Sequence, residues 1–144
     1  AAKPEAKTTN PAFAAFHAFQ AMGAKRIAVL TPYAKDVNQM VQKSVEEAGF
    51  DVPVFGSFNE PYDPTVAAID SQSLQSAIAK ITIGHDVDAV FISCTSVRIA
   101  AHVAAIESEL DIPVTSSNHA LAWHCLRLAG VDDKLPALGR LFNL

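Results

Sequence analysis

Apolar and polar positions along this chain fall into two kinds of block: stretches where apolar residues recur every three or four positions, and short unbroken apolar runs. The first stretch, Asn10 to Met22, opens on Asn then Pro, a cap followed by the residue favoured at the first helical position, and closes at Gly23. Phe13, Phe16 and Phe19 recur at helical spacing, so this helix is expected to bury an aromatic face. Arg26 to Thr31 (RIAVLT) is apolar and β-branched, lies between Gly23 and Pro32, and predicts the first strand. Asp36 can then cap a helix whose Val37, Met40, Val41, Val45 and Ala48 share one face and which stops at Gly49.

The same unit repeats. Asp51 to Phe58 reads as the second strand, Ser57 to Thr65 as a longer loop with a short extra turn at Asp63 and Pro64, and Asp70 to Ile83 as a helix facing inward with Leu74, Ala77, Ile78 and Ile81. Ala89 to Ser93 is the third strand, and Ile99, Val103, Ile106 and Leu110 mark the helix after it. Ile112 to Thr115 is the fourth strand, followed by a helix from Asn118 to Ala129 that ends at Gly130. The tail from Val131 to Leu144 has no legible element. Short apolar strands alternating with helices require a parallel sheet covered on both sides, because parallel strands need long crossovers and bury both faces. The expected fold is therefore α/β, three-layered and flavodoxin-like, with a four-stranded parallel sheet and one domain over residues 1–144.

Composition narrows the function classes. Half of the 144 residues are apolar and 18% are charged, which excludes a disordered chain, and no apolar run reaches the ~20 residues of a membrane span. A net charge of −4 with scattered Lys and Arg gives no field for nucleic acid, so neither nucleic acid nor membrane is an expected partner. Two cysteines make no disulfide framework, and free thiols in a reducing cytoplasm are expected. Residues 1–9 are polar and of low complexity and begin at Ala1 without methionine, so a segment upstream is expected.

In an open parallel sheet, ligands bind beyond the carboxyl ends of the strands. The loops there hold Thr31, Tyr33, Asp36 and Asn38, then Asn59, Tyr62 and Asp63, then Ser93, Cys94, Thr95 and Ser96, then Ser116, Ser117, Asn118 and His119. Cys94 is expected to enter the first turn of a helix, where the dipole and free amides stabilise a thiolate. The same placement also fits a small inert core residue. Cys125 lies on the stripe Leu121, Ala122, Cys125, Leu128 and Ala129 and is expected in the core, leaving Cys94 as the more reactive thiol. Tyr33, held by Pro32, can donate to a carboxylate or enolate oxygen, or simply close a strand. Thr95, Ser96, Ser117 and Asn118 suit either helix capping or carboxylate binding. The five histidines contain no i, i+4 pair and no Cys-X-X-Cys accompanies them, so no metal is expected. His119 reads as a surface residue at a helix start, and His17 and His102 as structural. No GxGxxG, Walker or GxSxG motif occurs, which removes a nucleotide cradle and a serine nucleophile elbow.

The segments KRIAVLTPYAKDVN, DAVFISCTSVR and IPVTSSNHALAWHCLRLAG resemble the second half of maleate isomerases, arylmalonate decarboxylases and ectoine-utilisation proteins, within the Asp/Glu racemase superfamily. The resemblance covers nearly the whole chain, and Thr8 and Thr9 before Pro11 resemble the join between halves. It implies a cofactor-independent isomerase, racemase or decarboxylase of small carboxylates or dicarboxylates, built from two halves that each give one cysteine to a shared site. It also implies that Cys94 exchanges a proton with the reacting carbon, that Tyr33 hydrogen-bonds the substrate, and that Thr95 and Ser96 hold a carboxylate. Asp63 and Pro64, with Asn59 nearby, stand where isomerases carry an asparagine, a departure that disfavours maleate because an ionised Asp63 repels a dicarboxylate. The expected partners are an N-terminal half and a second copy of the chain. The alternative is a carboxylate-binding or assembly module without turnover.

Overall fold

The computed structural model describes residue 3 and residues 5–144, and in it the strands and helices alternate as the sequence pattern predicts. Strands β1 (Arg26–Thr31), β2 (Asp51–Ser57), β3 (Ala89–Ile92) and β4 (Val114–Ser116) form one parallel sheet in the order β2-β1-β3-β4. Six helices surround it: α1 (Pro11–Ala21), α2 (Lys35–Glu47), α3 (Asp63–Ala67), α4 (Ser71–Thr82), α5 (Val103–Leu110) and α6 (Ser117–Leu128).

Side chains alternate across the central strands, so each strand feeds two cores. Ile27, Val29 and Phe91 pack beneath α1, α2 and α6, together with Phe19, Val45 and Trp123. Ala28, Leu30, Val90 and Ile92 pack on the other face against Leu74 and Ile78 of α4 and Val103 and Ile106 of α5. Asn10 caps α1 as expected, and Asp70 caps α4, each accepting a backbone N–H three residues on.

Several details depart from the sequence pattern. Phe13 is 60% exposed, because α1 meets the sheet through Ala14, Ala15, Ala18 and Phe19, small residues that let it approach closely. Ala34, without a side-chain cap, opens α2 in place of Asp36, and Val37 and Met40 stay exposed. The fourth strand lies two residues later than Ile112, since Pro113 has no N–H for the ladder. The tail is ordered against the sheet: Leu141 and Phe142 are fully buried and complete the α1/α6 core. Cys125 is exposed, because the inward stripe of α6 runs through Ala120, Trp123 and His124, and Cys125 lies about a third of a turn away.

His119 is buried rather than on the surface. Leu138's carbonyl can only accept, so Nε2 carries the proton and donates to it at 2.7 Å, while Nδ1 accepts from Thr115 Oγ1 at 3.0 Å. Burial lowers the His119 pKa below its ordinary value. His17 and His102 are exposed, although the His17 ring packs on His124 at 4.3 Å between centroids.

Candidate functional site

The chain leaves β1 to pair with β2 on one side and returns as β3 on the other, so the loops after β1 and β3 diverge to opposite faces. Such a switch point opens a crevice at the carboxyl ends of the two strands. Tyr33 follows β1 and Cys94 follows β3, and both line one cavity there. Burial first, then the neighbouring Cys94, pushes the Tyr33 pKa above the ordinary tyrosine value, so its hydroxyl keeps its proton at neutral pH.

A cavity of about 170 Å³ opens on this pair, walled also by Val37, Glu60, Asp63 and Val66. Cys94 is 4% exposed and is reached through this cavity. The helix-tip position expected for it is not found: Cys94 lies in an irregular loop, and α5 begins only at Val103. The thiol therefore gains no helix dipole. It receives instead one backbone amide, that of Ser96, at 3.3 Å.

Asp63 opens the short helix α3, as the sequence suggested, and accepts the Ser96 hydroxyl at 2.6 Å. Glu60, which sequence reasoning did not single out, enters the cavity wall because Asn59 adopts a left-handed turn, with φ 52°, immediately before it. Asn59 itself donates its N–H to Ser57 at 2.9 Å, and the cavity wall passes it by. A run of polar residues after a strand hides such a choice, since only the turn decides which residue faces in. Thr95 and Ser117 line a neighbouring cleft of about 310 Å³ with Tyr33, Phe16, Met40 and Phe91. Asn118 donates to the Thr95 carbonyl at 2.6 Å and braces the Cys94 loop from α6. Ser116, not Ser117 or Asn118, is the N-cap of α6, which leaves the latter two free of that task. Among the described residues there is no group of three or more His, Cys, Asp or Glu arranged to hold a metal, and no helix is long and apolar enough to cross a membrane.

Residues 4–142 match the family model of arylmalonate decarboxylase. The chain belongs to the arylmalonate decarboxylase family. It is 28% identical over 139 residues to a maleate isomerase of Pseudomonas putida, covering 96% of this chain and 55% of that protein. It is also 28% identical over 137 residues to the arylmalonate decarboxylase of Bordetella bronchiseptica, covering 94% and 57%. A cysteine-to-serine mutant of the Nocardia farcinica maleate cis-trans isomerase, solved with a covalently bound succinylcysteine intermediate, superposes with a TM-score of 0.81 at 25% identity, over 92% of this chain and 54% of that one. The fold is thus of the Asp/Glu racemase type that these family members share, and this chain spans about half the length of the relatives it matches.

Proposed function

We propose that this chain forms the C-terminal half of the active site of a cofactor-independent isomerase, racemase or decarboxylase acting on small carboxylic acids. Cys94 serves as the general acid or base that moves a proton at a carbanion-like carbon, and Tyr33 donates its hydroxyl to the charge that develops on the adjoining carboxylate or enolate oxygen. Thr95, Ser96, Ser117 and Asn118 form the polar rim that receives the substrate carboxylate, and Asp63 borders the Cys94 cavity, with Asn59 in the same loop but outside its wall. The single observation that carries this reading is that a thiol and a phenol, Cys94 and Tyr33, line one cavity at the sheet's switch point. The covalent succinylcysteine of the Nocardia farcinica isomerase supports it, since it places cysteine chemistry in a protein of this fold.

The reaction needs a second group on the far side of the carbon, either to move a proton between faces or to add and remove a nucleophile. One sheet edge supplies one side only. An N-terminal half carrying its own cysteine, or a second copy of the chain, completes the site and excludes water from it. The test is turnover of maleate, arylmalonates and acidic amino acids by the 144-residue chain and by a form joined to such an N-terminal half, each beside Cys94→Ala. The joined form is expected to turn over substrate in a Cys94-dependent manner while the chain alone does not. Cys94-dependent turnover by the chain alone overturns the half-site reading. Absence of turnover in both forms, with millimolar carboxylate still bound, favours a binding module, a reading with which the burial of Cys94 is also compatible.

A further inference from the structure

Tyr33 stands just beyond the end of β1, where the sheet ladder no longer holds the backbone. Its backbone groups nevertheless have partners, and all of them are side chains. The Tyr33 N–H donates to Thr31 Oγ1 at 3.2 Å. The Tyr33 carbonyl accepts from Asn38 Nδ2 at 2.8 Å and from Ser57 Oγ at 2.6 Å. Thr31 in turn donates its own hydroxyl to Asn38 Oδ1, so the two side chains form a closed brace around one residue. Thr31 is fully buried and Asn38 half-buried, and the brace draws on β1 and α2, with Ser57 of β2 closing it at the rim.

We propose that Thr31 and Asn38 are positioning residues, a clamp that fixes the Tyr33 backbone and so sets where its phenol stands in the cavity that it lines with Cys94; this rests on the catalytic reading given above. Three elements converge on a single residue whose side chain walls both the 170 Å³ cavity, which it shares with Cys94, and the 310 Å³ cleft. Movement of this one residue would shift the phenol that lines the Cys94 cavity. In enzymes a displacement of about 1 Å at a reacting group can cost roughly 100-fold in rate, which is the scale on which such a brace matters. A buried hydroxyl with both its donor and its acceptor capacity used is also rigid, since any shift leaves a polar group unpaired.

The experiment uses a Tyr62→Phe background, in which Tyr33 is the sole tyrosine. Phenolate absorbance is followed upward from pH 9 to the highest pH at which circular dichroism confirms that the chain stays folded, and the fraction of Tyr33 ionised at each pH is compared between chains. Thr31→Val keeps the side-chain shape and removes the hydroxyl, Asn38→Ala removes the other arm, and Thr31→Ser restores the hydroxyl. Thr31→Val and Asn38→Ala are expected to bring the Tyr33 titration down by about one pH unit or more toward the ordinary tyrosine value near 10, and to speed alkylation of Cys94 by iodoacetamide. Thr31→Ser, and a core variant that only lowers stability, Ile78→Val, are expected to leave the titration in place. The clamp is overturned if Thr31→Val titrates like its parent, or if Ile78→Val shifts it as far; the catalytic reading, which turns on Cys94-dependent turnover, then stands. If Tyr33 of the parent already titrates at the ordinary value, it is not held in a buried position and the clamp falls, while the catalytic reading is still decided by Cys94-dependent turnover.

Discussion

The hydroxyl of Ser96 donates to the carboxylate of Asp63 at 2.6 Å, tying the loop after β3 to the helix that follows β2 across the mouth of the Cys94 cavity. With Glu60 on the same wall, this gives the cavity two acidic side chains and, among the described residues that line it, no cation.

A dicarboxylate entering this cavity meets like charge. Asp63→Asn keeps the acceptor for Ser96 and removes the charge, so malonate and maleate are expected to bind about fivefold more tightly, the equivalent of about 1 kcal/mol for unit charges about 4 Å apart in a water-like medium. Isothermal titration of both chains at low salt measures this. Unchanged or weaker binding by the variant means that the dicarboxylate sits away from Asp63.

The two thiols should react in the order opposite to that expected from the sequence. Cys125 is exposed and Cys94 is 4% exposed. Iodoacetamide labelling of the folded chain followed by peptide mapping should therefore modify Cys125 first, and unfolding in urea should bring the two rates together. Faster labelling of Cys94 in the folded chain would contradict its burial.

Acid should loosen the core through His119. Its pKa is lowered chiefly by burial, and that of His124 is lowered by burial and by the neighbouring His17. A neutral histidine favoured in the folded state contributes stability that is complete above the ordinary value near 6.5 and is lost as pH falls through the lowered folded value. The melting temperature should accordingly decline below about pH 6.5, and His119→Gln, though less stable at neutral pH, should show a flatter decline. Parallel pH profiles for the two chains would show that another group drives the loss.

Gly139 turns the tail toward the sheet with φ 89°, in a region that side chains rarely adopt. A Cβ there would also lie 2.7 Å from both Glu107 Oε2 and Val103 Cγ1. Gly139→Ala is expected to cost roughly 1–3 kcal/mol, read as a lower midpoint in urea with unchanged slope. The displaced carboxylate of Glu107 otherwise accepts the backbone amides of Val114 and Arg140, at 2.8 and 2.7 Å. A stability equal to that of the parent would show that the tail can repack without its glycine.

The order of strands and helices and the parallel sheet were legible in the sequence because they rest on local regularities: the period of apolar residues and capping by Asn10. Tyr33, Cys94, Asp63 and Ser96 could be named from their loops for the same reason. What they do to one another was decided only in three dimensions. The inward stripe of α6, the burial of His119 and the exposure of Cys125 depend on how that helix is rotated against the sheet, and neighbouring stripes of similar hydropathy leave that rotation open. The irregular loop that denies Cys94 a helix dipole, the turn at Asn59 that brings in Glu60, and the packing of Leu141 and Phe142 all follow from contacts between residues distant in the chain. Side-chain periodicity reports which residues are apolar along one element, whereas the partner each surface finds is set by packing and by the pairing of every buried polar group.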